Sequence, residues 1–543
     1  MGLMKISTYH KMLGDEVRFV KGTDPSIDAE VWDRIYVTTL FTFDFAISVE
    51  TINHYMRLVD DVNSLYVGGI MASLMTDKVI EATGIERSQI LTGLFTDTSV
   101  VGDANDINID QLPLDYDILE DISYRFPAGD NYFAYTTRGC PNHCPFCAVP
   151  ILEPNFHVTN NIIEQIRTID RKYGPKQNLL LLDNNVLNTP HLESLVNNLC
   201  EAGFGCGAKY VDPGAYNIVM MRYHNGDRAE FLDKKMITYL ESFKKRIKSA
   251  EMLDTFLQIV IGAEEVENFA EYMLEHESEL SPIIEKYRSK AAKARYLDFN
   301  QGVDGRKIND ENMAQLARLA IRPLRIAFDN IKLQDKYCAA VRTAHKHGIK
   351  EISNYILFNY EDKPEELYER LRINIELNRE LGIQIFSFPM KYSPIDRTDR
   401  DYIGEHWTKK SLRAISAILQ VTKGVVAAGS DFFFKAFGST IDEYFELLAM
   451  PRELIMFRYH FEGNGTTAEW QKLYRAMDEE QKKELMVFVS HTVSELRTLP
   501  CPEQFKEILP YYLIKYNGKK EQLSDAPVQL SFMDDSDVVI EDE

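Results

Sequence analysis

With 543 residues, 45% of them apolar and 11% aromatic, the chain is long enough for about three domains and can bury a core in each. No run approaches the roughly 18 uninterrupted apolar residues of a membrane span, and a formal charge of −22 repels phosphate backbones, which argues against membrane and nucleic acid alike. Seven cysteines, an odd number, with no apolar leader over residues 1–10, argue against a disulfide scaffold and for a reducing cytoplasm.

Residues 1–112 alternate short apolar runs with helical segments, the pattern of a Rossmann-like α/β domain with a parallel sheet. Strands are expected over 3–7, 17–20, 34–39, 64–67 and 90–92, and a helix over 48–60. Gly68 and Gly69 follow the fourth strand, where a doubly wound sheet places turns that approach a ligand. Residues 113–130, rich in prolines and acids, read as a linker.

A second alternating series fills 131–395. A strand over 132–137 runs into a cysteine loop, a helix over 159–173 is stopped by Gly174 and Pro175, and a strand over 179–182 ends in Asp183-Asn184-Asn185. Thr189 is the expected cap of the next helix, with Pro190 in its first turn. Charged helical stretches over about 213–293 interrupt the rhythm; there Lys234, Lys235, Lys244, Lys245, Arg246 and Lys248 read as a solvated helix face.

The alternation then resumes with strands over 295–300, 324–328, 351–358 and 384–388. Asn309 caps one intervening helix, Gly348 closes another, and the last runs from Pro364 to Gly382. Six strand-helix units in one direction predict a partial (β/α)6 TIM-like barrel, because right-handed crossovers wind them the same way. Residues 396–525 read as a mostly helical region and 526–543 as an acidic tail.

Cys140, Cys144 and Cys147 stand at C-x3-C-x2-C spacing in the loop after the first strand of this series. Such a loop can aim three thiolates at one point, one fewer than a closed four-cysteine cluster uses, so one iron stays open. Zinc would normally require a fourth Cys or His, and no second closely spaced pair occurs. Cys200, Cys206, Cys338 and Cys501 are scattered and read as ordinary thiols. Barrels of this kind keep their chemistry at the C-terminal strand ends. Polar residues gather there: Asp183 to Asn185, Asn300, Gln301, Asp304 with Arg306, Asp329 with Asn330, and Asn359 with Tyr360.

The cysteine spacing, with Phe146 just before the last cysteine, resembles the signature of the radical S-adenosylmethionine (SAM) superfamily. The resemblance implies that Cys140, Cys144 and Cys147 hold a [4Fe-4S] cluster whose open iron chelates the amino and carboxylate groups of SAM. It further implies reductive cleavage of SAM to a 5′-deoxyadenosyl radical, with Phe146 against the adenine. Arg306 looks like the residue that reaches SAM in barrels sharing the core of the elongator and methylthiotransferase groups, and a guanidinium suits a carboxylate. Asp329 stands where relatives carry the Glu of Gly-x-Glu. The stretch ending in Asn359 and Tyr360 is similar to the adenine-contacting strand, without its glycines. Asp183 is a further candidate for SAM or substrate.

The N-terminal domain resembles in layout the cobalamin-binding domain that precedes many radical SAM barrels, but lacks the cobalt-ligating Asp-x-His-x-x-Gly. The expectation is therefore no firmly bound cobalamin, with a cobalamin-dependent radical SAM methyltransferase as the alternative. From another class, the alternative is a non-catalytic iron-sulfur or zinc-binding protein. Residues 1–139 contain no cysteine, so the second cluster of the methylthiotransferase group is excluded there. Flavodoxin or ferredoxin is the implied electron donor; the substrate stays open.

Overall fold

The computed structural model describes residues 1–159, 161–263 and 266–518. The expected acidic tail and the end of the helical region, residues 519–543, lie outside the described residues.

The chain opens as a helix, Gly2–Leu13, and residues 15–20 carry no regular structure, so neither of the first two expected strands forms. Met4, Lys5 and Thr8 are buried at helical spacing, and Gly14 ends the helix at φ 92, a conformation glycine adopts without strain. Three strands remain: β1 (Ile35–Thr39), β2 (Leu65–Gly69) and β3 (Ile90–Leu91), parallel and side by side in that order. Helices Phe45–Tyr55 and Thr76–Thr83 cover them, and Val37, Ile52, Leu65, Val67 and Val79 form their core. Gly69, at φ 94, has no room for a side chain, since a Cβ would lie 2.1 Å from the Thr39 carbonyl oxygen.

The next strands are β4 (Tyr132–Ala134), β5 (Thr137–Arg138), β6 (His157–Val158), β7 (Leu179–Leu181), β8 (Lys209–Tyr210), β9 (Lys293–Ala294), β10 (Leu297–Phe299), β11 (Leu324–Arg325), β12 (Glu351–Phe358) and β13 (Gln384–Lys391). β4, β7 and β10 form one parallel sheet, and β11, β12 and β13 another. Parallel bridges Leu297 to Ile321 and Val303 to Ile326 join the two edges, so six parallel strands neighbour one another in chain order. Near-continuous apolar runs such as Leu179–Leu181, buried on both faces, are what a parallel sheet covered by helices requires.

Met4 of the first helix packs into this core, and so do Leu114, Tyr116 and Ile118. The stretch 113–130 is therefore packed rather than a free tether: its apolar residues alternate with Asp115, which is buried and accepts hydrogen bonds from the Ser7 and Tyr173 hydroxyls. Helix Leu192–Leu199 starts three residues after Thr189, whose hydroxyl accepts the His191 N–H, so Thr189 supports the entry without being the cap.

The antiparallel pair β8 and β9 forms the stem of an insertion that has, among the described residues, five α-helices between Gly214 and Tyr287, closed around Tyr216, Met236, Phe256 and Met273. This insertion leaves after a helix and returns before β10, which places it at the opposite end of the strands from the cysteine loop. Lys234 and Lys244 there pair with Glu230 and Glu241. After β13, helices from Lys409–Val421 to Leu509–Tyr512 share a core with Ile356, Phe358 and Leu367. Among the described residues no helix is long and apolar enough to cross a membrane.

Candidate cofactor site at the strand ends

The antiparallel pair β5 and β6 closes the stem of the cysteine loop, matching Thr137 to Val158 and Arg138 to His157. Gly139 turns the chain at φ 71 where a Cβ would lie 2.5 Å from the Asn155 carbonyl oxygen. Glu153 accepts the Gly139 N–H at 2.8 Å and pairs with Arg138 at 2.9 Å. Arg138 in turn pairs with Asp110, which holds Lys5 of the first helix at 2.7 Å. This buried chain of charges, with Arg138 3.3 Å above the Tyr135 ring centroid, ties both ends of the loop to each other and to the first helix.

Cys140, Cys144 and Cys147 are free and half-buried. The Cys147 N–H bonds to the Cys144 carbonyl at 3.0 Å, folding the last part of the motif into a tight turn. Burial pushes the Cys144 and Cys147 thiols up, and neighbouring thiols push the same way, Cys140 on Cys144 and both others on Cys147. Asp329 also raises both, while Arg306 lowers Cys144. Among the described residues no three His, Cys, Asp or Glu side chains converge at metal-holding distance.

The polar strand ends divide into side chains that hold backbone and side chains that face the loop. Asp183 is fully buried after β7, and its Oδ1 accepts the N–H and hydroxyl of both Thr136 and Thr137. Burial raises its pKa against those four donors. That set of partners makes Asp183 a clamp on the strand feeding the cysteines through Oδ1, while its Oδ2 has no partner. Asn359 is likewise committed: it sits at φ 68, where Asn is tolerated better than most residues. Its Nδ2 donates to the Tyr392 and Tyr402 carbonyls at 3.1 and 3.0 Å and its Oδ1 accepts the Gly404 N–H at 2.8 Å. With both ends of the amide used, only its backbone is left to meet a ligand.

Arg306 is forked onto Asp304 at 2.7 Å through both Nε and Nη2, and Asn142 of the cysteine loop donates to the same carboxylate at 3.1 Å. Burial pushes the Asp304 carboxyl up, but Arg306 outweighs it and holds the carboxyl below its usual range. Asp329 lies among Arg370, Arg306 and Asp304, and burial, opposed by the two arginines, raises its carboxyl to about 6. Phe146 meets Tyr360 edge-on at 5.7 Å, and the rings continue through Tyr392 at 4.7 Å to Tyr402 at 5.5 Å.

Two contributors, Arg370 and Glu153, have no local signature in the sequence, and a third, Asn185, is legible there only as one of the polar residues after a strand. Arg370, fully buried on helix Pro364–Leu381, donates to the carbonyls of Phe328, Asp329 and Leu357 and pairs with Asp362 at 2.7 Å, setting the ends of β11 and β12. Glu153 also takes the Asn184 amide at 3.0 Å. Asn185, 3% exposed, directs Nδ2 at the Cys140 sulfur from 3.5 Å. Helical spacing could place Arg370 on its helix, but not point it under the strand ends.

In number and residue type the donor set suits a cofactor that takes three thiolates, while the three side chains as placed do not converge on one point. Three free sulfurs lie within eight residues, and burial together with the neighbouring sulfurs disfavours ionisation of Cys144 and Cys147, a conflict that a bound cation relieves. Buried polar atoms without partners, Arg138 Nε, Asp183 Oδ2 and Asn185 Oδ1, lie on the residues surrounding the loop.

No family model and no curated protein matches the sequence. Among solved structures, the radical S-adenosylmethionine methyltransferase TsrM from Kitasatospora setae, with cobalamin and a [4Fe-4S] cluster bound, is similar at a TM-score of 0.40 and 12% identity, over 73% of each chain. That likeness is too loose to carry a conclusion about cofactor or reaction.

Proposed function

We propose that this chain is a radical SAM enzyme acting on an unidentified substrate. The observation that carries the reading is the set of three free, half-buried cysteines at C-x3-C-x2-C spacing, held at the C-terminal end of a series of parallel strands. Six parallel strands neighbouring one another in chain order suit a partial (β/α)6 barrel over 131–395, with 1–112 and 396–525 as flanking domains. In this reading Cys140, Cys144 and Cys147 hold a [4Fe-4S] cluster. When bound and reduced, it supplies the electron that cleaves SAM into methionine and a 5′-deoxyadenosyl radical.

The protein's own residues then position and shield. Phe146 with Tyr360 offers aromatic surface to adenine, Arg306 offers a guanidinium to the SAM carboxylate, and Asp329 offers an acceptor to its amino group. Asp183 and Asn359 hold strand ends with most of their side-chain atoms, leaving Asp183 Oδ2 and the Asn359 backbone to meet a ligand. A low-potential flavodoxin or ferredoxin in the cytoplasm is the proposed electron source. The test is anaerobic reconstitution with iron and sulfide, then SAM and dithionite, read by mass spectrometry. Formation of 5′-deoxyadenosine, lost when the three cysteines are replaced by alanine, is the expected result. A colourless, iron-free wild-type protein sinks the reading, and an iron- or zinc-loaded protein that never forms 5′-deoxyadenosine turns it into the non-catalytic alternative.

One observation favours a second reading, a cobalamin-dependent radical SAM methyltransferase. The turns after β2 and β3 abut the cysteine loop: helix Ile70–Leu74 packs on Val149–Leu152, and Gly93 lies where a Cβ would be 3.1 Å from the Leu152 carbonyl oxygen. Retained corrinoid absorbance after incubation with cobalamin and gel filtration distinguishes this reading from the first.

A further inference from the structure

We infer that Asn185 is a positioning residue that tunes the reduction potential of the cofactor on the three cysteines through an N–H···S hydrogen bond to Cys140; this rests on the function proposed above. Of the Asp183-Asn184-Asn185 triplet, the first two side chains have structural partners, Thr136 with Thr137 and Glu153. Asn185 differs. Its side chain is almost wholly buried, its Nδ2 has the Cys140 sulfur as partner at 3.5 Å, and its Oδ1 has none. A buried amide that leaves its carbonyl unpaired is costly to keep for packing alone. An apolar residue of the same shape would fill the space without that cost.

The direction of the bond follows from the chemistry of the sulfur. A ligating thiolate has no proton to donate, so only the N–H end of the amide can face it favourably, and the charge strengthens the bond. Reduction adds one electron, from an external low-potential donor, and no proton; part of the new negative charge resides on the ligating sulfurs. An N–H aimed at one of them therefore stabilises the reduced state more than the oxidised state and raises the potential, as hydrogen bonds to sulfur do at iron-sulfur sites generally. Asp183 reinforces the geometry by fixing β4 and β5 against the end of β7, so that Cys140 and Asn185 stay opposed.

The experiment uses the full chain, reconstituted anaerobically with iron and sulfide and titrated with dithionite and mediators while the reduced cluster is followed by electron paramagnetic resonance. Asn185→Leu, matched in size and lacking a donor, is expected to bind as much iron as the wild type and to be reduced at a more negative potential. At the poise where half the wild-type cluster is reduced, its reduced-to-oxidised ratio should fall by up to about fivefold, the limit reached if the whole worth of one ordinary hydrogen bond is gained on reduction. If Asn185→Leu does not fold, Asn185→Ala removes the donor without adding charge and must shift the potential in the same direction. Equal potentials for the wild type and the variant that folds overturn the inference while leaving the proposed function intact. A wild-type protein that takes up no iron refutes that function instead.

Discussion

Two sets of parallel strands turn their ends toward the cysteine loop, and they finish in different chemistry. β1, β2 and β3 end in Thr39 and Leu40, Gly69 and Ile70, and Leu91 with Gly93, residues that are small or apolar apart from the paired Thr39 hydroxyl and whose main constraint is space. β7, β10, β11 and β12 end in Asp183 to Asn185, Asp304 with Arg306, Asp329 and Asn359, polar groups whose constraint is partners. The same topology thus supplies a close-fitting edge and a reactive edge. What separates them is whether a buried side chain must be satisfied, because an unpaired buried polar group costs more than a paired one returns.

The comparison can be broken most severely at Arg370. Arg370→Met uncovers three carbonyls and strands the Asp362 carboxylate, so a loss of about 4 kcal/mol in unfolding free energy is expected, the scale of a broken buried ion pair. Thermal and denaturant unfolding read it; a loss under 1 kcal/mol would show that the strand ends of β11 and β12 do not depend on it. Asp183→Ala, which strips the acceptor from four donors, should cost about 3 kcal/mol and lower iron uptake on reconstitution. Iron uptake equal to the wild type would separate the clamp from the loop it feeds.

On the other edge, Gly69→Ala tests space rather than partners. It places a Cβ against Thr39 at a positive φ, for an expected loss of about 2 kcal/mol, with iron uptake unchanged. Reduced iron uptake there would mean that the two edges are one unit.

A smaller, pH-dependent effect belongs to Lys410, buried in the C-terminal helices with Nζ donating to the Leu448 and Met450 carbonyls. Burial, with Arg413 nearby, lowers its pKa from 10.5 to about 7. The unfolded chain holds the proton across that window and the folded chain does not, so stability is lowest below pH 7 and climbs as pH rises toward 10.5. Relative to Lys410→Met, the wild type should gain at most about 1 kcal/mol per pH unit between pH 7 and 8. No difference in slope between the two would mean that Lys410 stays charged when folded.

Several elements are legible in the sequence because their signals are local. β12 spans Glu351–Phe358 as its β-branched and aromatic run indicates, and helix Pro364–Leu381 starts on a proline and stops at Gly382 with φ 64. The first helix is not legible, because residues 3–7 suit a short strand as well as one helical turn. Its contacts decide: Lys5 reaches Asp110, and Met4 enters the core of the strands that follow. Asp183 and Asn359 show the same limit at the site. Their residue type and position after a strand are visible, but whether an amide or carboxylate faces a ligand or its own backbone depends on segments 33 to 47 residues away.

By itself, then, the sequence determined the spacing of three thiols, the alternation that makes parallel strands, and the glycines and prolines that stop helices, all of them properties of neighbours along the chain. The tertiary structure alone decided which polar side chains are spent and which remain. Satisfying a buried donor or acceptor takes atoms brought together from distant segments, as when Arg370 reaches beneath β11 and β12 or Asn185 turns toward Cys140.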